Sequence, residues 1–136
     1  MAIKGFAEKF IKAEEEAWQK GNFKPLQSLE DPSVIYHIPP FQETKGWEAH
    51  KQYILGNRQA VSDLHQDWEY ITGDGNVFAL SYKSRGKFTG EIPGFPPPTG
   101  QEFTSDMLFV FCLKAGKIIE AWAKGTTTGL EAYLKK

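Results

Sequence analysis

Apolar positions in the first twenty residues fall three and four apart, at Ile3, Phe6, Ala7, Phe10, Ala13, Ala17 and Trp18. That spacing predicts an amphipathic helix over residues 2–20, ended by Gly21-Asn22. A second, short helix is expected from Asn22, with Pro25 tolerated in its first turn, Leu26 and Leu29 turned inward, and Asp31-Pro32 stopping it. Ser33-Val34-Ile35-Tyr36-His37-Ile38 is β-branched and aromatic, so it reads as a strand terminated by Pro39-Pro40. A third helix is expected from about Trp47 to Ala60, with Trp47, Tyr53, Ile54 and Val61 as its apolar stripe.

From His65 onward the period falls to two. Trp68 and Tyr70 alternate with Asp67 and Glu69, and Gly73-Asp74-Gly75-Asn76 supplies a turn before Val77 to Lys83, which predicts a hairpin. Residues 90–100 hold too much proline and glycine for a ladder strand and are expected to form an ordered, stiffened loop. Two long strands, Glu102 to Leu113 and Lys117 to Thr127, are joined by Lys114-Ala115-Gly116, and a short helix is expected from about Thr128. Helices followed by adjacent antiparallel strands indicate one α+β domain over residues 1–136, a cone of N-terminal helices packed on a curved, mostly antiparallel sheet and able to hold a small hydrophobic ligand. The strand from Phe103 to Leu113 is apolar on both faces, with Phe103, Met107, Phe109, Phe111 and Leu113 alternating with Leu108, Val110 and Cys112. Both faces of such a strand need cover, and a second copy of the sheet in a homodimer is the simplest way to supply it.

Charge and composition narrow the partners. The 136 residues carry 16 basic and 17 acidic side chains, a formal charge of −1 without a basic patch, so nucleic acid is not an expected partner. The single cysteine, Cys112, has nothing to pair with and no Cys/His spacing resembles a zinc site, which suits a reducing compartment, the cytoplasm by default. No apolar run reaches the ~18 residues of a membrane span. Three histidines without a clustered carboxylate and the lack of a glycine-rich phosphate loop imply neither metal nor cofactor. Ten Phe, five Tyr and four Trp fit a large core, an apolar pocket or a subunit interface.

Several short segments carry a family resemblance: Gly86-Lys87-Phe88-Thr89-Gly90-Glu91, then Pro96-Pro97-Pro98-Thr99-Gly100, Ala115-Gly116-Lys117-Ile118-Ile119-Glu120-Ala121-Trp122 and Gly129-Leu130. In order and spacing they resemble the SnoaL-like polyketide cyclases, and Gly21-Asn22-Phe23, Gly46-Trp47-Glu48 and Ser62-Asp63-Leu64 fit as well, so the resemblance runs from about Phe6 to Leu134. It implies the cone fold of the nuclear transport factor 2-like superfamily, a pocket and often a dimer, but no one reaction. In the cyclases an aspartate shortly after the Glu-x-Trp motif serves as general base for an aldol closure. Matching that motif to Glu120-Ala121-Trp122 puts Thr126 at the aspartate position, and a neutral hydroxyl is no base near pH 7.

Other residues are therefore candidates. Asp106 interrupts an apolar strand, where burial would raise a carboxyl pKa into the range of a general acid or base. His37 ends the first strand, in a place resembling that of the catalytic aspartate of ketosteroid isomerases, and its imidazole can work near neutrality. Asp106 and His37 are the expected catalytic pair. Glu14 lies about 40° from Phe10 on the helical wheel, so a carboxylate falls on the buried stripe. It joins Trp18, Tyr53, His65, Trp122 and Thr126 as expected substrate-binding residues, while His50, one turn from Trp47, is a weaker signal. The reading reached is a cofactor-independent acid-base enzyme of cyclase or isomerase type acting on an apolar carbonyl-bearing or polycyclic compound. The alternatives are a non-catalytic binder of the same fold and an epoxide hydrolase or hydratase.

Overall fold

The computed structural model describes residues 3–39, 43–91 and 97–129. Helix α1 (Ile3–Glu15) buries Phe6, Ala7, Phe10, Ala13 and Glu14, the stripe read from the spacing. It runs on as a π-helical turn, Glu16–Lys20, which buries Ala17. Gly21 ends the turn in the left-handed region at φ 70°, where a side chain would be strained, and its N–H bonds the Ala17 carbonyl. Helix α2 (Lys24–Leu29) starts two residues later than expected and has no side-chain cap. Strand β1 (Glu30–His37) starts earlier than expected, and a two-residue β2 (Thr44–Lys45) pairs with it. Pro32 is compatible with β1 because the ladder to its neighbour is irregular between Glu30 and Ile35. Helix α3 (Trp47–Ala60) has the expected bounds.

Strands β3 (Val61–Asp74), β4 (Val77–Phe88), β5 (Glu102–Lys114) and β6 (Lys117–Thr128) form a long meander. The sheet order is β2-β1-β6-β5-β4-β3. Only the β1–β6 pairing is parallel, so the molecule is α+β with helices against one face of a curved, unclosed and mostly antiparallel sheet. Of the expected C-terminal helix, Thr128 ends β6 and residues 130–136 lie outside the described residues, as do 92–96 of the proline-rich loop. Among the described residues no helix is long and apolar enough to cross a membrane.

The inner sheet face meets α1 in an aromatic core. Phe10 lies 4.6 Å from Phe111, which stacks on Phe78 at 4.8 Å. Along β5 the inward positions change in character: Phe111 and Leu113 belong to this filled core, whereas Phe109, Met107, Ser105 and Phe103 line a cavity. The outward positions of the same strand are uncovered in the single chain, with Leu108 44% exposed and Val110 and Cys112 partly exposed.

Candidate functional site

The cavity, about 320 Å³, is bounded by the end of α1 and its π-turn, by α3, and by the inner faces of the sheet. Ile38, Val61, Leu64, Phe88, Phe103, Met107 and Phe109 supply apolar wall, and Trp68 and Tyr82 add aromatic surface. The Trp68 indole N–H is buried without a hydrogen-bond partner among the described residues. Ser84, Ser105 and Thr127 bring hydroxyls to the lining.

A cluster of ionisable groups forms the polar end. Glu14 is 3% exposed and accepts a hydrogen bond from Trp18 Nε1 at 2.7 Å. The pair is one turn apart, and the π-turn that carries Trp18 is a local irregularity of a kind often found at functional sites. Beside it, His50 Nδ1 lies 3.0 Å from Glu30 Oε1, and the Tyr36 hydroxyl donates to Glu30 Oε2 at 2.7 Å. Tyr36 also stacks on the His50 ring at 4.0 Å. Tyr53 packs edge-on against Trp18.

Burial governs the protonation of this cluster. Desolvation pushes the Glu14 carboxyl up to about 7, with the Glu30 charge adding to the rise, while His50 and the Trp18 hydrogen bond oppose it. For His50 burial disfavours the cation, but the charge and hydrogen bond of Glu30, together with Glu14, outweigh it and leave the imidazole above its ordinary value. Burial likewise raises the Tyr36 and Tyr53 phenols, so both remain neutral. The result is an ion pair between His50 and Glu30, steadied by Tyr36, next to a carboxyl poised to exchange a proton near neutrality.

Glu14, Glu30 and His50 each offer a donor atom within 4.8 Å of the others, and among the described residues they form the one group so placed. Two carboxylates and an imidazole are donors that a divalent cation accepts. No such cluster is visible in the linear sequence, where 15 and 19 residues separate its members.

The candidate residues divide by sheet face. Glu14, Trp18 and Tyr53 line the cavity; Asp106, His37, His65, Trp122 and Thr126 do not. Asp106 is exposed on the outward face of β5, registered between Lys83 and Thr126. Its even-numbered parity with Leu108 and Val110 puts it opposite to Met107 and Phe109, so no apolar burial acts on it. His37 also points outward. Its ring nitrogens meet Glu43 at 2.5 Å and Glu120 at 2.6 Å, and the ring stacks on the 41% exposed Trp122. The Glu120 hydrogen bond is the main reason that His37 is held above its ordinary value, with Glu43 adding to it. The neighbour Tyr36 takes the inward position in β1. In β6 the cavity receives Thr127, not Thr126; either way the last strand brings a hydroxyl where the cyclase resemblance implies a carboxylate. His65 is exposed, and its ring lies within hydrogen-bond distance of the Asp63 carboxylate.

Glu30, Tyr36 and the weight of His50 escaped the sequence reading. Glu30, Val34 and Tyr36 share the even parity of β1, and a strand begun at Glu30 would have brought all three to one face.

A SnoaL-like polyketide cyclase family model matches residues 8–132. Among solved structures, a protein of Jannaschia sp. CCS1 assigned to the SnoaL-like polyketide cyclases superposes with a TM-score of 0.78 at 19% identity, covering 98% of this chain and 94% of that one. TsrD from Streptomyces laurentii gives 0.77 at 19% identity, covering 97% and 96%. An NTF2-like protein from Anabaena variabilis gives 0.70 at 11% identity, covering 93% and 90%. These likenesses establish the fold. No curated protein matches the chain significantly.

Proposed function

Since the chain belongs to the SnoaL-like polyketide cyclase family, we propose that it is a small-molecule enzyme that uses Glu14 as general base and acid on an enolisable carbonyl compound held in the cavity. The observation that carries this reading is a cavity-lining carboxyl held at about 7 by burial, a value matched to proton transfer near neutral pH. Ionised Glu14 takes a proton from the carbon next to a carbonyl. With Nδ1–H engaged by Glu30, protonated His50 has Nε2–H left to donate to the carbonyl oxygen as negative charge develops there. The enolate carbon then attacks a second carbonyl of the same molecule, a C–C bond forms, and the new alkoxide takes the proton back from Glu14. Without a second carbonyl the proton returns to carbon and the outcome is isomerisation. No atom is gained or lost overall, so no cofactor enters this scheme. Trp18 orients Glu14, Tyr36 and Glu30 orient His50, and the aromatic walls align the substrate.

Deuterium incorporation into 2-tetralone, an uncharged bicyclic ketone, tests the chemistry. Protein-dependent exchange should rise with pH through about 7, as Glu14 ionises, and fall at least about 100-fold in Glu14→Gln. Exchange unaffected by that substitution overturns the reading, and exchange no faster than in buffer favours a non-catalytic binder.

The outward face supports a second part of the proposal, a homodimer. Leu108, Val110, Cys112 and Trp122 lie together on β5 and β6, where Val110 registers with Trp122 and Leu108 with Lys124. Burying them against a second copy would remove the apolar surface that one chain leaves in water. Light scattering should return twice the 15.4 kDa chain mass; a monomer at micromolar concentration overturns it. The unpaired thiol of Cys112 supports residence in a reducing compartment such as the cytoplasm.

A further inference from the structure

The polar end of the cavity is short of one positive charge. Glu14, Glu30 and His50 bring two carboxyls and one imidazole into a corner where each residue is at most 3% exposed. His50 is already spent on Glu30, across 3.0 Å, and what Glu14 holds is the neutral indole N–H of Trp18. The sequence carries 16 lysines and arginines, yet none of the described ones lines the cavity. Arg58 on α3 is committed elsewhere, its Nη1 donating to the Trp18 carbonyl at 2.5 Å. Once Glu14 ionises, two carboxylates stand against one imidazolium, and one negative charge is left unanswered in a desolvated corner. Burial lifts the Glu14 carboxyl to about 7 although His50 opposes the rise, so an imidazolium shared with Glu30 is not enough to hold it ionised.

Aromatic rings surround the same corner. Burial raises the phenols of Tyr36, Tyr53 and Tyr82, and the Glu14 charge adds to each rise, which puts all three within electrostatic reach of the carboxylate. Trp18 meets Tyr53 edge-on, and Trp68 lies 4.2 Å from Tyr82. A carboxylate set among ring faces suits an organic ammonium group: the carboxylate supplies the opposite charge, and the negative faces of the rings replace part of the lost hydration. An ammonium leaves the His50–Glu30 bond in place, whereas a divalent cation taking the same Nδ1 would break it.

We propose that the cavity is a binding site for protonated amines carried on an apolar ring system, with the Glu14 carboxylate as counter-ion and Trp18, Tyr53 and Tyr82 as the aromatic wall around the ammonium group. This rests on the cavity being the ligand site, as in the function proposed above, but not on Glu14 acting as a base. Where Glu14 does act as one, an amine paired with it withholds it from the ketone and blocks exchange. The groups facing Glu14 set the pH dependence. Helix α3 contributes His50 and Tyr53, β1 contributes Glu30 and Tyr36, β4 contributes Tyr82, and Glu91 completes the ionisable lining. The phenols, all raised, stay neutral. His50, also raised, sheds its proton only as pH climbs, which removes a competing cation and so acts in the same direction as the ionisation of Glu14. Amine binding therefore strengthens as pH rises through about 7.

Calorimetric titration of the full chain with 2-aminotetralin, protonated at both pH values used, and with its uncharged counterpart 2-tetralol tests the idea. At pH 8 the amine should bind at least about 30-fold more tightly than the alcohol. Between pH 8 and pH 6 the affinity for the amine should fall about tenfold, following the ionised fraction of a carboxyl at about 7, while that for the alcohol stays level. Titrations at pH 6 in buffers of different ionisation heat should show about one proton released per amine bound, because pairing expels the proton from Glu14. Neither readout needs a variant; in Glu14→Gln the preference for the amine should drop at least about tenfold. Equal binding of the two probes at pH 8 overturns the proposal, as does an amine preference indifferent to both pH and the substitution. Binding of neither probe below about 1 mM overturns it too. Amine binding without deuterium exchange into 2-tetralone leaves this proposal standing and sinks the catalytic one, and exchange without a preference for the amine does the reverse.

Discussion

Two histidines, each between two carboxylates, lie on opposite faces of this sheet and behave differently. His50 meets Glu30 and Glu14 in the dry interior, where all three are at most 3% exposed. His37 meets Glu43 and Glu120 at the outer face, where the side chains are 24%, 47% and 35% exposed. Both imidazoles are raised above their ordinary value, and in the buried arrangement desolvation also drives the Glu14 carboxyl up to about 7. In the interior a second carboxylate lacks the support of water, and desolvation favours its protonated form. Similar residue types thus make a solvent-accessible clasp on one face and a desolvated cluster on the other.

The largest expected contrast is in stability. Glu30→Ala should destabilise the protein by about 3–5 kcal/mol in urea unfolding, because it strands a buried imidazolium and leaves the Tyr36 hydroxyl without its acceptor. A cost below about 1 kcal/mol would mean that the inner cluster is solvated like the outer one.

A second contrast concerns pH. The Glu14 carboxyl is raised from 4.5 to about 7 on folding, so between those values the folded state binds the extra proton. Its contribution is fully present below about pH 4.5 and is lost as pH rises to about 7, roughly 3 kcal/mol in all. His50, also raised, acts in the same direction: its contribution is present below its unfolded value of 6.5 and is lost as pH rises through its folded value. The unmodified protein should therefore lose stability from pH 5 to pH 8, and Glu14→Gln should show a much shallower slope. Parallel slopes in urea titrations of the two proteins would assign the pH dependence elsewhere.

The smallest effect is expected outside. Glu120→Gln should change stability by no more than about 1 kcal/mol, as partly exposed ion pairs do. The little that His37 contributes should be present below pH 6.5 and lost as pH rises through its folded value. A loss as large as that of Glu30→Ala would show that the outer clasp is shielded, as a partner chain over Trp122 would shield it.

Helical periodicity was the dependable guide to the site. An arc of apolar residues on a 100° wheel is wide, so Glu14, Trp18 and Tyr53 were legible as inward positions. Strand positions were less so, because with a period of two an error of one residue exchanges the faces. His37 and Tyr36 are adjacent, as are Thr126 and Thr127, and in each pair the inward member is the one that no motif emphasised. On β5 the two sides are both apolar, so parity was visible but the identity of the wet side was not. Asp106 consequently looked buried among Leu108 and Val110, which are themselves on the open face.

The pattern of residues alone determined the α+β class, the bounds of α3, the two C-terminal strands and the presence of a carboxylate on the buried stripe of α1, since each depends on contacts within one element or between neighbours in the chain. Only the tertiary structure decided that Glu14, Glu30 and His50, from α1, β1 and α3, share one desolvated corner. Proton affinity there is set by which charges lie within a few ångströms and how much water is excluded, and both follow from how the helices close on the sheet.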